Sequence, residues 1–124
     1  MNLAPLSFNA LERSDIPSRL GHVASVMGKK IAIRSNDETM TFRQLDERAS
    51  LVAQSLASHF TTGRQYPVIL LLESGMSVFP AIYGVLRAGH FYCAIPIHYP
   101  LEYIARALNE MGESVLLTEQ YLLD

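Results

Sequence analysis

The side chains in this 124-residue chain that could hold a metal include four histidines and a single cysteine. His22, His59, His90 and His98 show no spacing that puts two of them on one face of a helix. His90 and His98 flank the same apolar stretch, so a metal site between them is the alternative. Cys93 adds no second thiol, and structural zinc normally takes four such ligands. The residues therefore predict no metal site, and Cys93 is predicted to be a small core residue, not a reactive thiol.

Phosphate binding is suggested only by Gly28-Lys29-Lys30. A phosphate loop needs a first glycine five residues before the second, where Val23 stands, and a Ser or Thr after the lysine to hold magnesium. We therefore predict a helix-ending glycine followed by solvated lysines. No Gly-x-Gly-x-x-Gly or Gly-x-Ser-x-Gly motif occurs. Ser74 and Ser77 are accordingly predicted to be turn and cap residues, not nucleophiles.

The adjacent carboxylates Asp46 and Glu47 could suggest acid–base chemistry. Neighbouring residues on a helix point about 100° apart, so the two cannot form a catalytic pair on one face. We predict that both lie on a solvated surface. The residues alone supply no catalytic, cofactor-binding or metal site.

Composition limits the class of protein. The chain is long enough for one domain or part of one, and its 49% hydrophobic and 18% charged residues are typical of a globular fold. A net charge of -2 gives no electrostatic footprint for nucleic acid or an anionic membrane. No apolar run approaches the roughly 20 residues of a membrane span, and residues 1–6 lack a signal-peptide pattern. One cysteine fits a reducing compartment, so we expect a cytoplasmic protein.

The first half of the chain contains the elements that would position these residues. Residues 1–15 show no sustained period and are predicted to be a lead-in segment; the domain would span residues 16–124. Pro17 opens a helix that Gly28 ends, and residues 31–34 and 39–41 form a hairpin. Thr41 with Gln44 forms a capping box that begins a long amphipathic helix.

The second half alternates apolar strands with helices. The strand at 67–72 reads as central, and that at Phe91–Ile95 reads as covered on both faces, because neither shows alternation. The helices span 77–88, ended by Gly89, and 100–111, and a last strand follows at 115–118. The predicted apolar face of the last helix comprises Leu101, Ile104, Ala105, Leu108 and Met111. This order predicts a layered α/β fold, with a mostly parallel sheet and helices on both faces.

Two stretches resemble the start of an adenylate-forming enzyme, the superfamily of acyl-CoA synthetases, peptide-synthetase adenylation domains and luciferase. Residues 40–49, Met-Thr-Phe-Arg-Gln-Leu-Asp-Glu-Arg-Ala, are similar to the family's "Leu-Thr-Tyr-x-Glu-Leu" signature. Residues 86–100 are similar to "Leu-Lys-Ala-Gly-x-x-Tyr-Val-Pro-Ile-Asp-Pro-x-Tyr-Pro". Cys93-Ala94 and Pro96-Ile97 depart from that pattern, at Val-Pro and Asp-Pro. The nearest likeness is to amino-acid-activating domains, followed by acyl- and fatty-acyl-AMP ligases.

The resemblance implies that the chain is the N-terminal portion of such an enzyme's large domain. It implies ATP and Mg²⁺ for the complete parent enzyme, whose phosphate loop, acyl pocket and C-terminal lysine come after the residues present here. No residue of this chain carries over as catalytic, cofactor-binding or metal-binding. The expected function is therefore scaffold, with no adenylation by this chain alone.

The expected partner is the remainder of such an enzyme, with no nucleic acid and no membrane. One alternative is a non-catalytic partner module, or a degenerate remnant, that binds the rest of a synthetase or self-associates. Another is an unrelated small nucleotide-binding α/β protein. The nucleotide-binding alternative is disfavoured because no phosphate-cradling loop follows any strand.

Overall fold

The computed structural model describes residues 15–60, 63–73, 75–112 and 114–118. The predicted lead-in, except Asp15, and the turn residue Ser74 lie outside these ranges. The described part contains, in chain order, α1 Ile16–Met27, β1 Ile31–Ser35, β2 Glu38–Thr41, α2 Phe42–Ala57, β3 Pro67–Leu71, α3 Val78–Arg87, β4 Phe91–Ala94, α4 Leu101–Met111 and β5 Val115–Thr118. Within the described ranges, no helix is long and apolar enough to cross a bilayer.

The main sheet has three parallel strands in the order β4-β3-β5. Ile69 at its centre pairs with Cys93 on one side and with Leu116 on the other. β1 and β2 form a separate antiparallel hairpin, whose turn includes Asn36 with φ 53°. Asn accepts this left-handed conformation more readily than most residues. The prediction of a mostly parallel sheet is confirmed.

Helices cover both faces of the sheet because β3 is apolar on both of its sides. Val68 and Leu70 pack against Leu56 of α2 and against Ala81 and Val85 of α3. On the opposite face, Ile69 packs with Ile95 and with Ile104 of α4. This arrangement gives the three layers that the alternating sequence predicts.

The hairpin and α1 are attached through α2. Leu20 of α1 and Met40 of β2 pack with Leu45 and Ala49 of α2 in one buried cluster. The predicted capping box is present: the Thr41 hydroxyl accepts from the Gln44 N–H at 3.2 Å, and Gln44 Oε1 accepts from the Thr41 N–H at 2.9 Å. These bonds begin α2 where the strand ends, so strand and helix share Thr41 as their junction.

α2 and α3 approach each other closely at Gly84. A Cβ atom at that position would lie 2.5 Å from the Val52 Cβ and 2.8 Å from the Ala49 carbonyl oxygen. α3 then ends at Arg87, and Gly89 takes a φ of 85°, as predicted for a glycine after a helix. Gly84 therefore sets the spacing between the two helices that cover β3.

Predictions of burial are wrong for two elements in the second half of the chain, β4 and α4. β4 is not covered on both faces: Phe91 is 47% exposed and Tyr92 41%. The predicted apolar face of α4 holds at Ile104, but Leu101 is 79% exposed and Ala105 is also exposed. Among the described strands β4 pairs only with β3, and α4 is the described helix in the cluster that packs on Ile69. The apolar residues in the sequence of β4 and α4 therefore extend beyond the part of these elements that the described residues bury.

Candidate functional site

The carboxyl ends of β3 and β4 form the candidate site. These strands are adjacent and parallel, but the chain leaves β3 for α3 on one face and leaves β4 for α4 on the other. In open α/β sheets such a divergence leaves a crevice at the carboxyl ends of the two strands, and ligands bind in crevices of this kind.

A cleft of about 500 Å³ lies at this place. Its walls come from Leu70 and the residues after β3, Leu72 and Glu73, from Val78 at the start of α3, and from residues 94–98 at the end of β4. Most of this lining is aliphatic. Glu73 and His98 are its ionisable groups, and the described lining includes no Lys or Arg. The cleft can therefore hold apolar groups, and no Lys or Arg among its described lining residues is placed to bind a phosphate.

The histidines occupy different environments. His90 is only 8% exposed, and its Nδ1 accepts a hydrogen bond of 3.2 Å from the Tyr66 N–H. Its ring also contacts the rings of Phe60 and Tyr66, with centroids 4.6 and 5.7 Å away. His90 therefore joins the start of β4 to the start of β3. His98 lies exposed beyond the other end of β4.

Metal-ligating side chains do not converge in the described ranges. No group of three or more His, Cys, Asp or Glu residues is placed to hold an ion there. Cys93 lies half-buried in β4, on the side of the sheet that α4 packs against. Its burial is thus less complete than a core residue would show.

The predicted solvated surface on α2 is correct for Glu47 and wrong for Asp46. Glu47 is exposed, whereas Asp46 Oδ1 accepts from Arg87 Nη2 at 2.7 Å in a partly buried ion pair. Arg87 also donates from Nη1 to the Asp46 carbonyl and to Ser50 Oγ, and from Nη2 to the Pro17 carbonyl. This network holds α1, α2 and α3 together and lies apart from the cleft. Sequence reasoning missed it because the partners are 41 residues apart.

The other motifs considered from sequence have structural roles. Gly28 follows α1, as predicted, with Lys29 and Lys30 exposed beyond it. Gly28 keeps a right-handed helical conformation, and its carbonyl accepts from the Arg43 N–H at 3.1 Å. Ser77 stands at the predicted N-cap position of α3, but its side chain makes no capping hydrogen bond to that helix.

A sequence model of the family described as AMP-binding enzyme matches residues 20–124. Gramicidin S synthase 2 of Aneurinibacillus migulanus is 33% identical over 93 residues, which are 75% of this chain and 2% of that protein. Indigoidine synthase of Dickeya dadantii (strain 3937) is 26% identical over 121 residues, 94% of this chain and 8% of that protein. The chain thus spans less than a tenth of either relative.

Solved structures give the same fold. The nonribosomal peptide synthetase FmoA3 (S1046A) superposes with a TM-score of 0.81 at 25% identity, covering 87% of this chain and 12% of that one. The Klebsiella oxytoca NpsA N-terminal subdomain in complex with anthranilyl-AMSN superposes with a TM-score of 0.74 over 85% of this chain. It is 17% identical, and the match covers 27% of its length. At this identity, the NpsA match shows that the two chains share a fold and nothing more.

Proposed function

Because the chain belongs to the AMP-binding enzyme family and corresponds to part of a peptide-synthetase-type adenylate-forming domain, we propose that it is the N-terminal scaffold of an ATP-dependent, carboxylate-activating ligase. The complete enzyme would join a carboxylate to ATP, releasing pyrophosphate and leaving an acyl-AMP. Amino acids are the favoured carboxylates, since a nonribosomal peptide synthetase is among the similar structures at 25% identity. Fatty acids are the second class to test.

The lining of the cleft carries this proposal. Stabilising charge on a reacting triphosphate requires cations, Mg²⁺ and loop amides directed at its oxygens. The described lining offers Glu73 and His98 among aliphatic side chains. One carboxylate together with substrate phosphates can bind Mg²⁺, but the described lining includes no Lys or Arg to hold the phosphate oxygens. The described lining therefore does not make a complete site for Mg·ATP, and we propose that the remainder of the domain supplies the missing cations and loop amides.

The arrangement that the chain holds in place supports the proposed scaffold role. Parallel strands β3 and β4 end side by side, and their crevice is the position at which α/β folds present a ligand. Helices on both faces fix these strands, and Arg87 joins three of the helical segments around them. We propose that this rigid edge supports a phosphate-binding loop contributed from outside the described residues.

Isotope exchange between pyrophosphate and ATP tests the proposal. Purified 1–124 is incubated with Mg·ATP and pooled amino acids, and separately with fatty acids. Exchange should equal the no-enzyme control. A chimera in which this chain replaces the matching segment of the gramicidin synthase's AMP-binding domain should show amino-acid-dependent exchange. Exchange by 1–124 alone would overturn the claim that it is a scaffold.

A second candidate function is a non-catalytic module that self-associates. The observation in its favour is the apolar surface on β4 and α4, including Phe91, Tyr92 and Leu101. Exposed apolar surface and an unpaired strand edge both favour association. Sedimentation of 1–124 at several concentrations distinguishes the two: a folded monomer throughout the range counts against self-association.

A further inference from the structure

A groove of about 270 Å³ lies beside α1, where this helix meets α2 and α3. One wall of the groove is formed by α1 residues Ile16, Arg19, Leu20 and Val23. These positions are three or four residues apart, so they share one side of the helix. Phe42 at the start of α2 and Tyr83 of α3 complete the lining. We name these six residues the α1 groove.

The α1 groove is mostly apolar, and its two ends differ in burial. Leu20 is 5% exposed because it packs into the cluster that contains Met40 and Leu45. Ile16 lies on the same side of α1 and is 56% exposed. Removing such a side chain from water is favourable, so a segment that covered this end of the groove would gain free energy from the hydrophobic effect.

The chain carries an apolar segment at that end of the groove. Residues 1–14 precede Asp15, the N-cap of α1, and therefore join the domain directly before Ile16. Their sequence places large apolar side chains at Leu3, Leu6, Phe8 and Leu11. A segment tethered this close to a site has a high effective concentration there. The family model matches residues 20–124, so this segment lies outside the matched region.

Length selects the part of the segment that fits. The stripe from Ile16 to Val23 is about 10 Å long, because an α-helix rises 1.5 Å per residue. An extended chain covers that distance between residues 8 and 11. Residues 12–15 have the length of a four-residue turn, which is enough to reverse the direction of the chain before α1. Phe8 and Leu11 are thus the apolar side chains within reach of the groove.

Charge gives the register of the segment. Arg19 is the cation in the described lining of the groove, and it makes no ion pair with any residue that the structure describes. Glu12 is the only acidic residue among residues 1–14. A contact between the two would place Leu11 at the apolar wall. Exposed ion pairs contribute little free energy, so this contact would orient the segment more than it would stabilise it.

We propose that residues 8–12 fold back into the α1 groove, with Phe8 and Leu11 on its apolar wall and Glu12 beside Arg19. This inference is independent of the proposed function. The docked segment covers the exposed side of Ile16 and adds contacts that hold α1 against α2 and α3.

Paramagnetic relaxation in the full chain tests the docking. A nitroxide is attached to Ser7→Cys in a Cys93→Ala background, and relaxation of the Phe42 and Tyr83 amides is measured by NMR. Both amides should relax rapidly. F8S/L11S should reduce the enhancement at least threefold, whereas L3S/L6S, the same change outside the proposed contact, should leave it unchanged.

A second pair of variants tests the groove itself. Val23→Asp places a carboxylate in the apolar wall and should reduce the enhancement at Tyr83 as F8S/L11S does. Val26→Asp is the matched control, because Val26 is 66% exposed on the same helix and does not line the groove. Amide spectra verify that each variant is folded, and the segment variants decide the result if Val23→Asp is not.

Three results would overturn the proposal. Enhancement at Phe42 and Tyr83 that is absent, or that F8S/L11S leaves unchanged, would show that the segment does not dock in the groove. Equal losses with F8S/L11S and L3S/L6S would overturn the assignment of residues 8–12. Enhancement passed from spin-labelled chains to separate isotope-labelled chains in a mixture would place the segment in the groove of a second copy, and not in its own.

Discussion

Arg87 Nη2 lies 2.7 Å from Asp46 Oδ1, and this ion pair joins the last turn of α3 to the first turns of α2. The same guanidinium donates to the carbonyls of Asp46 and Pro17 and to Ser50 Oγ. Four directed bonds from one planar group fix three helices relative to one another, which a lysine ammonium cannot reproduce in this geometry. Arg87 therefore acts as the central contact among α1, α2 and α3.

Replacing Arg87 with methionine should lower the free energy of unfolding by roughly 2–3 kcal/mol. The substitution leaves partly buried acceptors on Asp46 and Pro17 without their charged donor. Arg87→Lys keeps the charge but loses most of the bonds, so we expect about half that loss. Urea melts measure both. Arg48→Met, at an exposed position on α2, is the control and should change stability by less than about 0.5 kcal/mol. A loss equal to that of the control would show that the network does not stabilise the fold.

Gly84→Ala should destabilise the protein by about 2 kcal/mol, because overpacking a close contact typically costs about 1–3 kcal/mol. The new methyl group would lie 2.5 Å from the Val52 Cβ and 2.8 Å from the Ala49 carbonyl oxygen, and a backbone atom cannot move aside easily.

The control for that substitution is Gly21→Ala, on α1. A Cβ atom at Gly21 would lie 4.0 Å from Asp46 Oδ1, its nearest neighbour apart from the adjoining residues and the backbone of the same helix. Alanine in an open helical position should stabilise by about 0.5–1 kcal/mol, since it restricts the unfolded chain. Thermal melts of the two variants should therefore shift in opposite directions. A shift in the same direction would contradict the close approach of α2 and α3.

His90→Phe should lower stability by about 1–3 kcal/mol even though it keeps an aromatic ring between Phe60 and Tyr66. The reason is the Tyr66 N–H, which donates to His90 Nδ1 in a buried site and would be left without an acceptor. His90→Asn places an oxygen near the position of Nδ1 and should restore the hydrogen bond while losing ring contacts. Hydrogen exchange at the Tyr66 amide separates the two effects, with fast exchange in the Phe variant alone. Exposed His59→Phe is the neutral control.

Local signals in the sequence were enough to predict most element boundaries. Thr41 and Gln44 mark the start of α2 through two hydrogen bonds three residues apart, and Gly89 marks the end of α3 through its positive φ. The apolar run at 67–72 predicts a central strand, and in the structure β3 is covered on both faces. Each of these features depends on residues close together in the chain, so the sequence carries them directly.

The remaining features depend on contacts between distant parts of the chain. The pairing of Asp46 with Arg87 follows from how α2 meets α3, which no local pattern specifies. The exposure of Phe91 and Leu101 follows from what packs beside β4 and α4, whereas the apolar pattern records only that these positions favour burial. The cleft likewise arises from the divergence of two crossovers, so its lining could not be assembled from motif spacing.

Stability should fall in acid partly through Asp15, the N-cap of α1. The pKa of its carboxyl is lowered because the Ser18 side chain and then the Ser18 backbone N–H, at 2.8 Å, hydrogen-bond to the charged form. A folded-state pKa below the unfolded value contributes stability that is present above the unfolded pKa and is lost as pH falls through the folded pKa. The unfolded value is near 3.8, so the loss should occur below that pH.

Asp15→Asn keeps the cap but cannot titrate, so the difference in the free energy of unfolding between wild type and this variant should narrow as pH falls below 3.8. Ser18→Ala removes the largest cause and should raise the Asp15 pKa, which a carbon-detected NMR titration measures directly. A gap that stays constant from neutral pH to below 3.8 would contradict this role of Asp15.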